Sequence, residues 1–333
     1  MSDPRPGEFD LIKRYFAPLA KDPGSLGLTD DAAVLTPEPG FDLVLTKDML
    51  AAGVHFFADD PPEAIAAKAL RVNLSDLAAK GARGRGYLLG LALPANWTES
   101  WLQAFCAGLA ADQNAYEIVL LGGDTIRSAD GLQISVTAIG EVEAGKAVRR
   151  SGAKPGDVLF VSGTIGDAAA GLKARLEPEF CSRAGISESG KDHILGRYLM
   201  PRPRTGLAGC LTRYARAAMD ISDGLFADCG HMASASNCTL VVDLDQVPLS
   251  SALRGSLAAG RDEEMFECLN GGDDYEILAS VSAEKADDFE RDAAANGCAV
   301  TRIGRVEAGE GDLRVQRSGV DLDIRNLHGF KHF

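Results

Sequence analysis

The sequence is short of positive charge. It carries 34 lysines and arginines against 48 aspartates and glutamates, a formal net charge of −14 at pH 7. A field of that sign repels nucleic acid, so no nucleic-acid partner is expected. It also repels a bare nucleotide triphosphate, so a phosphate substrate must arrive with a divalent metal or meet a local basic patch. Cysteine is present in a pattern that serves neither cross-linking nor zinc. There are seven, an odd count, and none stands in C-x-x-C. That argues against a disulfide framework and a zinc knuckle, and a reducing cytoplasm is the simplest home. The opening "MSDPRPGEFDLIKRYFAPLA" lacks a signal-peptide apolar segment. No apolar run approaches the roughly 18 residues that span a membrane, so no membrane partner is expected. Also missing are G-x-x-x-x-G-K-[ST], a kinase-type glycine loop followed by lysine, a twelve-residue EF-hand loop, tandem repeats and low-complexity segments.

What is present is a globular composition, 46% hydrophobic and 25% charged, over 333 residues, enough for two domains. "GEFDLIKRYFAPLA" reads as a short amphipathic helix with Phe9, Ile12, Tyr15 and Phe16 on one face. "FDLVLTKDM" is an extended apolar run. Pro61 and Pro62 open a long helix with Ile65, Leu70, Leu74 and Leu77 at helical spacing, and Gly81 stops it. "GYLLGLALP", "EIVLLGGD" and "LQISVTAIGEV" read as strands. Between the first two lies a helix that Thr98 caps. Near residue 150 the turn-rich "RRSGAKPGD" marks a hinge. "DVLFVSG", "TLVVDL" and "YEILASV" then read as strands of a second set. The expectation is two domains, 1–148 and 149–333, each mixing strands and helices, α/β to α+β in class.

Aspartates recur where apolar elements end or helices begin: Asp30 and Asp31 in "LTDDAAVL", Asp48 in "LTKDML", Asp124 in "LGGDTIRS", Asp220 and Asp223 in "AMDISDGLFAD", Asp273 and Asp274 in "NGGDDYEI". Most have Gly, Ser, Thr or Ala beside them, and small neighbours allow close approach to the backbone. Any one of them could be a helix cap or turn residue. Caps do not account for Asp76, which lies inside the long helix, with Asn73 and Lys80 on its face. Taken together, the set suits a hard cation such as magnesium, which takes oxygen ligands and pairs few carboxylates with substrate phosphates. "GTIGDAAAGL" is compatible equally with a simple turn into a helix and with a phosphate contact.

Several of these blocks together carry a resemblance. "LTDDAAVL", "LTKDMLAAGVHF", "KALRVNLSDLAAKGA", "LLGGDTIRS", "RRSGAKPGD", "VSGTIGDAAAGL", "AMDISDGL", "GGDDYEI" and "HGFKHF" occur in this order over residues 27 to 333. The chain resembles the thiamine-monophosphate kinase family, within the aminoimidazole-ribotide-synthetase-like (PurM-like) ATP-binding superfamily. The resemblance implies a two-domain enzyme, usually a homodimer. The N-terminal domain, built on a mixed sheet, would serve ATP, metal and dimerisation, and the C-terminal domain would be α/β. With several magnesium ions it would move the γ-phosphate of ATP onto thiamine monophosphate. By the same resemblance Asp30, Thr46, Asp48, Asp76, Asp124, Asp220 and Asp223 are metal ligands. Gly123, Asp124, Arg150 and Ser222 are nucleotide contacts, and His55, Asp273 and Phe330 are substrate contacts. Asp220 and Asp223 would act at a helix start. Three positions depart from the family pattern: Thr29 stands for a glycine, Lys47 for a small hydroxyl residue, and Asp273 for a glutamate one methylene longer. No residue is needed as a general acid or base. A phosphate monoester with a second pKa of about 6 is mostly ionised at neutral pH.

Overall fold

The computed structural model describes residues 6–257 and 262–323; Phe330 and the "HGFKHF" tail lie outside the described residues. The chain divides into two compact units. One comprises Met1–Leu77 with Ala82–Gly145, the other Ala78–Gly81 with Lys146–Phe333.

The first unit runs α1 (Glu8–Leu11), β1 (Phe41–Ala51), α2 (Pro62–Ala79), β2 (Arg83–Leu93), α3 (Glu99–Tyr116), β3 (Val119–Arg127) and β4 (Gln133–Glu143). Its four strands stand in the order β1-β4-β2-β3. The β2–β3 pair is parallel, with α3 as the crossover, and the other pairs are antiparallel. Ile65, Leu70, Leu74 and Leu77 of α2 are all buried, as their spacing predicts. Thr98 caps α3 by accepting the N–H of Trp101 at 3.1 Å. The N-terminal helix corrects the sequence reading. After α1 the chain takes a π-helical turn, Ile12–Phe16, so the buried residues are Leu11, Tyr15, Phe16 and Leu19. Phe9 is 83% exposed. The wider turn shifts the helix phase, and a 3.6-residue period drawn from Phe9 finds Tyr15 and Phe16 but misses Leu11 and Leu19.

The second unit runs β5 (Asp157–Ser162), α4 (Asp167–Leu176), α5 (Phe180–Ala184), α6 (Glu188–Leu199), α7 (Ala208–Tyr214), β6 (Ala215–Ile221), α8 (Leu225–Ser236), β7 (Thr239–Asp243), α9 (Ser251–Leu257), α10 (Asp262–Leu269), β8 (Glu276–Ser282), α11 (Ala286–Ala295), β9 (Val300–Glu307), β10 (Leu313–Arg317) and β11 (Val320–Asp321). Its seven strands lie in the order β11-β10-β7-β9-β5-β8-β6. Successive strand residues point into two different cores. Leu159, Val161, Met219, Ile221 and Leu278 join α4, α5, α6 and α8 in one. Phe160, Ala218, Ile277, Ala279 and Val281 join α7 and α11 in the other. A sheet covered on both faces needs apolar residues at nearly every position, which is why "LVVD" and "EILASV" do not alternate.

Candidate functional site

The acidic residues gather in two groups, one in each unit. In the first unit the pleat of β1 turns Val44, Thr46, Asp48 and Leu50 inward and leaves Leu43, Leu45, Lys47 and Met49 exposed. Thr46 donates its hydroxyl to the Asp76 carboxylate on α2. Burial, with the nearby charge of Asp76, pushes Asp48 up to about 6. The three oxygen-bearing side chains Thr46, Asp48 and Asp76 therefore form one cluster where β1 meets α2. Asn73, one turn before Asp76, is fully buried and donates to the Ala69 carbonyl at 3.1 Å, so it belongs to the helix interior. Lys80 donates to the Ala218 carbonyl at 2.9 Å, an anchor for β6.

The other expected residues of this unit stand on other elements. Asp30 is exposed, and its carboxylate takes the N–H of Asp31 at 2.7 Å. Asp124 is exposed on β3, level with Gly90 of β2. Neither is hydrogen-bonded to Thr46, Asp48 or Asp76. Gly123 is packed so closely on β2 that an added Cβ would lie 1.9 Å from the Leu89 carbonyl oxygen. His55 sits in the turn after β1, where its Nδ1 accepts the N–H of Ala51 at 3.0 Å.

The second group corrects the reading of "AMDISDGL". Asp220 is not at a helix threshold. It lies in strand β6, 7% exposed, opposite Ile277 of β8. Ser222 and Asp223 form the loop that follows, and Gly224 leads into α8 with φ +110°. An added Cβ on Gly224 would lie 2.5 Å from the backbone of Asn270. Glycine is therefore required by both dihedral and space. The "GGDDYE" loop packs against this turn. The N–H groups of Asp273 and Tyr275 donate to the carbonyls of Ser222 and Ile221, each at 2.9 Å. The Tyr275 hydroxyl reaches the Asp273 carboxylate at 3.1 Å. Arg150 is exposed, and its charge bears on Asp228.

Three residues of this group were given no individual role by sequence reasoning. Asp228, in the first turn of α8, is 1% exposed, and burial first, then the charge of Asp223, pushes it up to about 7. His231, one turn on, has its Nε2 4.0 Å from Asp223. Asp223, Asp228 and His231 bring their ligand atoms within 4.8 Å of one another. The signal was available: Asp228 and His231 are three apart, the spacing that shares a helix face. The third is Asp274. Fully buried, it accepts the Gly166 N–H at 2.8 Å at the head of α4, and burial raises its pKa. Asp167, in the first turn of α4, is held by Ser250, Thr164 and His193. The "GTIGDAAAGL" helix start is thus capped by the protein's own carboxylate, which decides between turn and phosphate contact in favour of the turn.

Residues 29–142 match the family model of the AIR synthase related protein, N-terminal domain, and residues 154–316 that of its C-terminal domain. A thiamine-monophosphate kinase of Caulobacter vibrioides is 44% identical over 309 residues, 92% of this chain and 86% of the relative. The chain belongs to the thiamine-monophosphate kinase family. Among solved structures, thiamine-monophosphate kinase from Stenotrophomonas maltophilia is 41% identical, with TM-score 0.82 over 95% of this chain and 98% of its own. AaThiL complexed with AMPPCP and TMP is 33% identical, with TM-score 0.76 over the whole of both chains. The hydrogenase maturation protein HypE in complex with ATP is 21% identical with TM-score 0.78, a likeness of fold alone. The two-domain fold implied by the motif order is the fold of this thiamine-monophosphate kinase family member.

Proposed function

We propose that the protein transfers the γ-phosphate of ATP to thiamine monophosphate, with magnesium, giving thiamine diphosphate and ADP. The observation that carries the reading is the Thr46–Asp48–Asp76 cluster in a chain that matches thiamine-monophosphate kinases over nearly its full length. Two carboxylates share a half-buried corner, and among the described residues no base is ion-paired to either. Like charges held this way suit a cation, and the donors are all oxygen, as magnesium prefers. Asp30, Thr46, Asp48, Asp76 and Asp124 of the first unit, and Asp220 and Asp223 of the second, would hold the ions. Bound magnesium neutralises the phosphate charge that a lysine loop meets in other kinases.

The chain's own groups bind and orient. Gly123, Asp124, Ser222 and Arg150 serve the nucleotide. Arg150 offers a permanent positive charge to phosphate oxygens. His55, Asp273 and Phe330 serve the thiamine ester. An acceptor phosphate oxygen bonds to the γ-phosphorus as the bond from that phosphorus to the β–γ bridging oxygen breaks, and ADP departs. The acceptor is already ionised, so no side chain removes a proton. Placement of the two anions supplies most of the rate.

The homodimer reading is supported by an uncovered sheet face in the first unit. Leu43, Leu45 and Met49 of β1, Leu88 of β2 and Ile126 of β3 are all exposed and share that face by strand register. The cytoplasmic reading is supported by seven free cysteines, six of them buried. No described helix is long and apolar enough to cross a membrane.

The deciding test incubates the purified protein with ATP, magnesium and thiamine monophosphate and quantifies thiamine diphosphate after separation. Product should form and vanish with EDTA. Asp48→Ala and Asp220→Ala should each lower turnover by about a hundredfold or more, the scale of a lost charge-stabilising group. Intact ATP binding without product would sink the kinase reading and leave a nucleotide-binding protein.

A further inference from the structure

The turn that carries Ser222 and Asp223 is fastened on both sides. Its carbonyls accept from the "GGDDYE" loop, as described. Its N–H groups have a single recipient: Ser222 N and Asp223 N both donate to Asp228 Oδ2 at 3.0 Å. Asp228 is 1% exposed, so this carboxylate lies beneath the turn, away from solvent.

This is not an ordinary helix cap. A capping side chain accepts N–H groups of the helix's own first turn. Helix α8 begins at Leu225 after Gly224. The two N–H groups that Asp228 takes belong to the residues before Gly224. Asp228 therefore reaches backward out of the helix and fixes the chain that precedes it. We propose that Asp228 is a positioning residue for the nucleotide- and metal-binding turn: its carboxylate sets the backbone from which Ser222 and Asp223 project, and through the carbonyls of Ile221 and Ser222 it places Asp273 in the same frame. The assignment of ligands to that turn rests on the kinase reading above. The fastening itself does not.

The geometry also says what kind of group is needed. One oxygen accepts both N–H groups, and an amide oxygen can do the same. The acceptor matters and the charge does not. The test compares Asp228→Asn, which keeps an oxygen, with Asp228→Leu, which fills a similar volume without one, in the full chain. Three quantities are read: amide exchange at Ser222 and Asp223, affinity for magnesium-ATP by calorimetry, and kcat against KM. The Leu variant should lose amide protection at those two positions. Its affinity for magnesium-ATP should fall about tenfold or more, because two backbone N–H groups lose their acceptor and the turn its frame. The Asn variant should stay within about threefold of the wild type.

Equal damage in Asn and Leu would overturn the proposal and make Asp228 a direct cation ligand. Unchanged affinity and exchange in Leu would make it a bystander. If the Leu variant does not fold, the wild type still decides: fast exchange of the Ser222 and Asp223 amides would overturn the fastening. A wild type that binds magnesium-ATP but makes no thiamine diphosphate, with the Leu variant losing both affinity and protection, refutes the kinase reading and leaves the positioning role standing.

Discussion

At the scale of single residues, the charge pattern carried the most information. Asp48 stood out as a carboxylate ending an apolar run and Asp76 as one inside an apolar helix, Thr46 came with the family resemblance, and the structure brings the three together. Their chemistry has a measurable consequence. Asp48 titrates near 6 in the folded chain against 3.8 in a free side chain. The folded protein binds that proton more tightly than the unfolded one. The cation-free protein therefore loses stability as pH rises from 3.8 through about 6, and the loss is complete above it. Cation binding runs the other way, since a cation must displace the proton below about pH 6. Magnesium affinity should be flat at neutral pH and fall by up to about tenfold per pH unit below 6. Asp76→Asn should shift that break to lower pH, because it removes the charge that helps to raise Asp48. Calorimetric titration across the range checks both; a break unmoved by Asp76→Asn would separate the two carboxylates. What could not be read at this scale was the rank of neighbours. Asp273 and Asp274 are adjacent and identical in sequence. Yet Asp273 is half-buried beside the loop that carries Ser222, while Asp274 is a buried cap on α4. The backbone of this loop, left-handed at Gly272, Asp273 and Tyr275, decides which carboxylate points where.

At the scale of elements, strands flanked by clear turns were legible, and so was the long helix α2, because four apolar residues at helical spacing left no alternative. Strand β6 was not. "ARAAMDI" is alanine-rich and ends in a carboxylate, so its local preference says little. It becomes a strand because β8 hydrogen-bonds along it and two cores claim its alternate residues. The buried network behind β8 makes a test of such tertiary control. Glu276, fully buried, accepts from Arg197 of α6 at 2.8 Å, from Arg204 and from Ser162. Arg197 also donates to the Asp274 carbonyl at 3.0 Å, so the network ties α6 to the loop that caps α4. Glu276→Leu would strand two guanidinium groups against an apolar residue. It should cost about 3–5 kcal/mol in urea unfolding. Arg197→Met leaves Glu276 with Arg204 and should cost clearly less. Equal costs would mean that Arg204 does not compensate. A second element-scale test concerns the entry to α8. Gly224→Ala meets both a left-handed φ of +110° and the Asn270 backbone. It should destabilise by about 2 kcal/mol or more and weaken magnesium-ATP binding beyond that, because the turn that carries Ser222 and Asp223 must shift.

At the scale of the whole molecule, the sequence declared two halves, and the family models cover them at residues 29–142 and 154–316. The sheets of the two units obey different rules. The seven-stranded sheet of the second unit is covered on both faces along its strands β5, β8 and β6. The four-stranded sheet of the first unit buries one face, with Tyr87, Leu89, Leu91, Ile134, Val136 and Ala138 inside, and among the described residues leaves much of the other exposed. The extended apolar run read over β1 also hid this difference, since its outward positions hold Leu43, Leu45 and Met49 where a solvated face would hold polar residues. Leucines scattered singly are normal on a surface; apolar residues gathered on one sheet face, here on β1, β2 and β3, suit an interface. A second copy of the chain, placed by a two-fold axis on the same face, would cover both patches at once. Leu45 is 63% exposed near the middle of β1. Leu45→Glu puts a charge at the centre of that contact and should convert the protein from dimer to monomer in light scattering. Leu176→Glu makes the same change at a residue also 63% exposed, at the end of α4 in the other unit, and should leave the mass unchanged. A dimer that survives Leu45→Glu would move the interface elsewhere. A monomeric wild type would leave the apolar face without a like partner. Asp124 lies on that face's own strand, two residues before Ile126. Association and magnesium-ATP binding should therefore be linked, with the nucleotide shifting the monomer–dimer equilibrium of the wild type and losing that effect in Asp124→Ala.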